Sequence, residues 1–128
     1  MSRLVKLAAT AVVTAAAFLP ASPNGALAAD GTIILGAAVS ETGKYSTNGK
    51  HTTNGYNLAV ERVNSTGGVK IGDKSYDLKV IYYDDESTPA RGAQLAERLI
   101  NQDGVKFLLG PYSSGLTKAI APVTEKYG

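Results

Sequence analysis

The chain has 128 residues, with 13 lysines and arginines against 11 acidic residues, a single histidine and no cysteine. Without cysteine there is no disulfide, thiolate metal site or cysteine nucleophile, so a packed core must supply the stability. The near balance of charge offers no basic stripe, so no nucleic-acid partner is expected, and one histidine excludes multi-histidine metal centres.

The first residues have the layout of an export signal. Arg3 and Lys6 are followed by an apolar run from Leu7 to Leu19, broken only by Thr10 and Thr14. Pro20 and Pro23 end any helix there. Ala26-Leu27-Ala28-Ala29 then precedes Asp30, with small residues at the positions a signal peptidase reads. A positive start, a short apolar stretch and a small-residue cleavage site define a secretory signal. A membrane anchor needs about 18 apolar residues in a row, more than this run provides. The expected division is a signal peptide over residues 1–28, cut after Ala28 with Ala29 as the near alternative, and a soluble periplasmic product over 29–128. No cysteine follows the cut, so a lipid anchor on a mature N-terminal cysteine is excluded. Losing Arg3 and Lys6 leaves 11 residues of each sign.

After the signal, short apolar runs alternate with helical patterns. Ile33–Val39 is a buried-strand run flanked by turn formers. Over Thr52–Asn64 a helix is expected, with Leu58, Ala59 and Val63 on one face and a stop at Ser65-Thr66-Gly67-Gly68. Gly72-Asp73, between short β-prone pieces in Val69–Tyr76, reads as a hairpin turn. The second apolar run is Leu78–Tyr83. A helix over Pro89–Asn101 places Ala93, Ala96, Leu99 and Ile100 at helical spacing, with Thr88 as N-cap and Pro89 as first helical residue. Val105–Leu109 is the third apolar run. A last helix over Ser114–Lys126 carries Leu116, Ala119, Ile120 and Val123, with Pro122 expected to kink it or remove one bond. This alternation predicts a three-layer α/β domain: a doubly wound parallel sheet with helices on both faces. With the three apolar strands in the order 2-1-3, a crevice opens outside the carboxyl ends of strands 1 and 3. Two polar loops border it, Ser40–Asn48 and Gly110–Gly115.

Several segments carry candidate chemistry. Gly110-Pro111-Tyr112-Ser113-Ser114-Gly115 runs into a helix start, where unpaired N–H groups and the dipole favour an anion and serine hydroxyls add donors. The structural alternative is that one serine only caps the helix. Ser40–Lys50 superficially resembles a phosphate loop, but five residues separate Gly43 from Gly49 and His51 follows Lys50, where the motif has four residues and a hydroxyl. Asp84-Asp85-Glu86 reads as a set of caps for the turn and for the Pro89 helix in preference to a metal or phospho-acceptor cluster. A Ser114–His51 pair is the only conventional nucleophile arrangement, and no serine lies in a G-x-S-x-G elbow. Asn64-Ser65-Thr66 matches a glycosylation sequon. No cofactor is expected.

Four segments together carry a family resemblance. They are Gly36-Ala37-Ala38-Val39-Ser40-Glu41-Thr42-Gly43 with Asn54-Gly55, Val63-Asn64 with Gly67-Gly68-Val69, Tyr83-Asp84-Asp85 with Pro89 and Ala93, and Gly110-Pro111-Tyr112-Ser113-Ser114. In this order they resemble the N-terminal part of the branched-chain amino acid binding proteins of ABC importers, the leucine-binding-protein-like group of type I periplasmic binding proteins. The resemblance implies a two-lobed receptor that closes on its ligand, of which residues 29–128 form the N-terminal part of the first lobe. It implies no enzymatic activity, a small-molecule ligand bearing a carboxylate, such as an amino acid or an aromatic or aliphatic acid, and an ABC permease in the membrane as partner. The family serine that holds the ligand carboxylate falls on Ser114, with Ser113 as the adjacent alternative and Tyr112 in the same loop. The family aromatic that packs on the ligand side chain falls on Asn48, and Tyr45 is its expected replacement. The other readings are an extracellular sensing domain of the same fold and a secreted serine hydrolase.

N-terminal sequencing of the exported protein should begin at Ala29 or Asp30. A membrane-bound product that retains Met1 would overturn the expected soluble receptor.

Overall fold

Small side chains at the centre of the first strand let helices approach the sheet closely. The computed structural model describes residues 29–128, so the expected signal over 1–28 lies outside the described residues. Its elements are β1 (Gly31–Val39), α1 (Ser46–Ser65), β2 (Val69–Ile71), β3 (Lys74–Asp84), α2 (Pro89–Asn101), β4 (Phe107–Leu109) and α3 (Ser114–Tyr127). The sheet order is β2-β3-β1-β4. β1 pairs in parallel with both β3 and β4, and β2 pairs antiparallel with β3 as the expected hairpin. Gly72 takes a φ of 60° in that hairpin turn, a conformation that glycine adopts without a Cβ clash. The three parallel strands therefore stand in the predicted order, with β1 in the middle.

This order also puts helices on both faces. The β1–α1–β3 crossover carries the chain to one side, and β3–α2–β4 carries it back past β1. Crossovers of one hand then place α1 and α2 on opposite faces. On the α2 face, a side chain at Gly36 would press on Leu99 and Val105, and Ala38 packs with Leu95, Ala96 and Ile120. Tyr83, Leu108 and Val123 complete this cluster at its edges. Leu99 and Leu116 are fully buried, and removing each side chain from water contributes about 1.5–3 kcal/mol. Pro122 lies inside α3 and is exposed, as is Lys118, whose carbonyl loses its usual i+4 donor there.

Some boundaries and one helix face differ from the sequence expectation. α1 starts at Ser46, not Thr52, so the β1–α1 loop ends at Tyr45 and Asn48 lies in the first turn of the helix. Of the expected Leu58–Ala59–Val63 face only Val63 turns inward: Leu58 is 67% exposed and Ala59 is also exposed. Among the buried or half-buried positions of α1, Gly49, Thr52, Tyr56, Val60 and Val63 form one stripe at helical spacing. Polar residues and glycine fill the first half of that stripe, which hid it from a hydrophobic pattern. β4 is shorter than expected and begins at Phe107, because Val105 turns into the α2 face as a core residue with 2% exposure. Thr88 is the N-cap of α2 by position, but its hydroxyl donates to the Glu86 carbonyl at 3.2 Å and makes no capping bond.

The glycosylation sequon has a structural use. The Asn64 side chain donates to the Leu78 carbonyl at 2.9 Å and accepts from the Leu78 N–H at 2.8 Å, pinning the end of α1 to β3. Its amide nitrogen is thus engaged within the fold.

Two glycines of α1 give a paired test of the packing. A Cβ at Gly49 would overlap the backbone of Ser40, whereas one at Gly55 meets nothing within 4 Å. Gly49→Ala should destabilise the domain by about 3 kcal/mol or more, since backbone cannot yield as a side chain does. Gly55→Ala should stabilise it by about 0.5–1 kcal/mol through helix propensity. Urea denaturation of both variants checks the contrast, and equal effects would disprove the close helix–strand contact.

Candidate functional site

Because β1 has parallel neighbours on both sides, the chain leaves its carboxyl end in one direction and leaves β4 in another. The gap between the two exits is the crevice that the strand order predicts. Its rims are the β1–α1 loop, Ser40–Tyr45, and the β4–α3 loop, Gly110–Ser113.

The β1–α1 loop is held from the neighbouring strand. The Asp84 carboxylate, at the end of β3, accepts from Glu41 N at 2.9 Å, Thr42 N at 3.2 Å and the Thr42 hydroxyl at 2.6 Å. It also accepts from Glu86 N at 2.9 Å. Partial burial works against the charged carboxylate. The Thr42 hydroxyl and the N–H groups of Glu86, Thr42 and Glu41 outweigh it and hold Asp84 below its ordinary value of 3.8. Asp85 is fully buried and accepts from the Ser40 hydroxyl at 2.6 Å and Ser87 N at 2.8 Å. The acidic cluster is therefore structural, as the sequence suggested, but Asp84 and Asp85 serve the β1–α1 loop and their own turn and do not cap α2, and the Glu86 carboxylate lies 3.6 Å from Arg91 Nε in the first turn of α2.

The β4–α3 loop is anchored from α1. The Tyr56 hydroxyl donates to the Gly110 carbonyl at 2.7 Å, and Tyr82 donates to Asn57 Oδ1 at 2.8 Å beside it. Burial pushes both phenols above their ordinary range, with Tyr56 adding to the effect on Tyr82, so both remain neutral donors at pH 7. Neither tyrosine was singled out in the sequence. Their position on a shared sheet-to-helix contact becomes visible only once the true inner face of α1 is known.

The predicted site residues fall on both rims. Tyr45 and Tyr112 meet across the gap, ring centroids 5.9 Å apart and planes tilted by 56°. Lys44 Nζ lies 4.7 Å from the Tyr45 ring centroid, within cation–π range. Tyr112 is 52% exposed. The two serines divide their work. Ser113 is the N-cap of α3, and its hydroxyl accepts from Leu116 N at 3.2 Å. Ser114 is the first helical residue and is exposed, and its hydroxyl makes no hydrogen bond to any of the described residues. Asn48 is half-buried within α1, and its carbonyl accepts from the Thr52 hydroxyl at 3.0 Å. Glu41, Ser46, Thr47, Lys50, Thr53 and Asn54 line an open pocket of about 390 Å³ beside the start of α1. His51 is exposed, and no hydrogen bond joins it to Ser114 among the described residues.

Comparison with known proteins agrees with this architecture. Residues 32–128 match the family model described as periplasmic binding protein, and the chain belongs to that family. The "Leu/Ile/Val-binding protein homolog 1" of Brucella abortus is 30% identical over 96 residues, covering 75% of this chain and 24% of that protein. A branched-chain amino acid transporter substrate binding protein from Streptococcus pneumoniae, solved in complex with isoleucine, superposes with a TM-score of 0.69 at 29% identity, covering 74% of this chain and 26% of that one. A solute binding protein of an ABC transporter from R. palustris, solved in complex with benzoate, gives a TM-score of 0.62 at 28% identity, covering 75% and 25%. The chain spans about a quarter of the length of these relatives. The likeness identifies a leucine-binding-protein-like partial chain carrying part of the N-terminal lobe of the type I fold.

Asp84 supplies a pH test of the loop anchor. Its folded value is depressed, so its stabilisation is complete above the ordinary value of 3.8 and is lost as pH falls through the lower folded value. Asp84→Asn should be less stable than the parent at pH 7, and the gap should shrink as the pH drops below 3.8. Urea titrations at neutral and acid pH read this directly, and a gap independent of pH would rule out the charged anchor.

Proposed function

We propose that the chain is the ligand-contacting part of a periplasmic solute-binding protein of an ABC importer, exported by its N-terminal signal. Its ligand is a branched-chain or related amino acid or another small carboxylate. The observation that carries this reading is the division between the two serines. Ser113 satisfies the cap of α3, and the neighbouring Ser114 hydroxyl points no bond into the fold while sitting at the positive end of the helix dipole. A ligand carboxylate there accepts the Ser114 hydroxyl and backbone N–H groups of the first turn. The Tyr45–Tyr112 pair stands beside it as an aromatic wall for the rest of the ligand. The two ligands present in the related structures, isoleucine and benzoate, both combine a carboxylate with an apolar body. The reading requires no nucleophile, base or cofactor, and the permease is the partner that the family implies.

Single mutants of the full-length product of the gene test the assignment. Thermal-shift screening with amino acids and aromatic acids first identifies the ligand. A hydrogen bond to a charged group contributes about 1.5–3 kcal/mol, so Ser114→Ala should weaken binding by about ten- to a hundredfold. Its unliganded stability should change by no more than about 0.5 kcal/mol. Ser113→Ala should instead lower stability by about 1 kcal/mol, the cost of a lost cap. Unchanged affinity in Ser114→Ala would remove that residue from the site.

A further inference from the structure

The turn between β3 and α2 is more elaborate than a connection between two elements requires. Glu86 and Ser87 both sit in the left-handed region, with φ of 54° and 59°. Side chains disfavour that region, and glycine would occupy it at less cost. Ser87 is only 7% exposed, and both capacities of its hydroxyl are used. It donates to the Thr42 carbonyl at 2.7 Å and accepts from Tyr45 N at 3.0 Å. One oxygen thereby brackets the segment Thr42–Tyr45, which closes on itself through Ser46 N to the Gly43 carbonyl at 3.2 Å. The fit is close: a Cβ at Gly43, where φ is 81°, would lie 2.7 Å from Ser87 Oγ and 2.8 Å from the Glu86 carbonyl oxygen.

We propose that Ser87 is a positioning residue for the ligand crevice, fixing the backbone of Tyr45 so that its ring stands against Tyr112, without itself touching the ligand. The proposal rests on the reading of Tyr45 as part of the ligand wall. Its physical basis is the Tyr45 N–H. That group precedes α1 and gains nothing from the helix ladder, so its partner is the Ser87 hydroxyl. Removing the hydroxyl leaves that donor unpaired and loosens the last residue of the loop, whose carbonyl alone stays held, by Gly49 N at 2.8 Å, while Asp84 still holds Glu41 and Thr42. A serine at a left-handed position is then explained by its hydroxyl, which glycine lacks.

Ser87→Gly separates this role from simple backbone accommodation, because glycine relieves the left-handed conformation while the hydroxyl, with its Cβ, is lost. Ser87→Ala removes the hydroxyl and keeps the conformational cost. In the full-length product, amide exchange followed by NMR should show Tyr45 N–H exchanging at least about tenfold faster in both variants. The affinity of Ser87→Gly for isoleucine or benzoate, whichever binds the parent, should fall by about tenfold, the size of one net hydrogen bond, with little change in thermal midpoint. Parent-like Tyr45 exchange in Ser87→Gly overturns the tether, and so does accelerated exchange with parent-like affinity, since the ring would then not depend on it. If neither probe binds the parent, the assignment of the crevice to such ligands fails. The exchange measurement still decides whether Ser87 holds Tyr45.

Discussion

The crevice depends on the way the end of β1 is held. A central strand with parallel neighbours on both sides delivers its loop into open space, with no hairpin partner to pair its backbone. Here the adjacent strand supplies what is missing. Val39 O accepts from both Glu41 N and Asp85 N at 3.0 Å. Asp84 gathers the Glu41 and Thr42 N–H groups and the Thr42 hydroxyl, and Asp85 takes the Ser40 hydroxyl in full burial. Carboxylates suit this task because each offers several acceptor sites to a loop that presents donors. Bonds to a charged acceptor are also shorter and stronger than neutral ones. The cost is a buried carboxylate whose Oδ2 has no hydrogen-bond partner among the described residues.

The same constraint explains what could be read from the sequence and what could not. The alternation of apolar runs and helical patterns, the Gly72-Asp73 hairpin and the 2-1-3 order were legible, because each follows from local residue type or from the handedness of crossovers. The first six residues of α1, Ser46 to His51, were not. Ser46, Thr47, Asn48 and Gly49 are weak helix formers, and the helix starts there because Gly49 can lie against the Ser40 backbone, a long-range contact without local signature. The inner face of α1 was misplaced for the same reason, since Leu58 looks like core and Thr52 and Tyr56 do not. Asp84 and Asp85 were recognised as structural, but their partners in the β1–α1 loop lie more than forty residues away in sequence.

For the candidate site, the sequence placed Ser113, Ser114, Tyr112 and Tyr45 near one another, and the fold brings the two tyrosines together. It could not say which serine caps α3. That choice turns on Ser113 being extended, with ψ of 146°, so that its hydroxyl returns to Leu116 N. Asn48, expected from the resemblance at the family's aromatic position, lies in the first turn of α1, and it is Tyr45, the N-cap residue before that helix, whose ring meets Tyr112.

The two rims are fastened to different elements, and this bears on how a ligand would be sensed. Tyr45 is tied to the β3–α2 turn through Ser87, and Gly110 is tied to α1 through Tyr56. Tyr45 is the N-cap of α1 and Tyr56 lies at its middle, so both ties converge on one helix. The first turn of that helix packs on Ser40 through Gly49 with no room for adjustment. A ligand bridging Tyr45 and Ser114 would therefore meet a pre-set wall on this lobe, and it would not have to order two free loops. Ordering costs are among the larger penalties of binding small molecules. A rigid half-site of this kind lowers that penalty, and it leaves the exclusion of water to surfaces that approach from the open side of Tyr112, half of which remains exposed here.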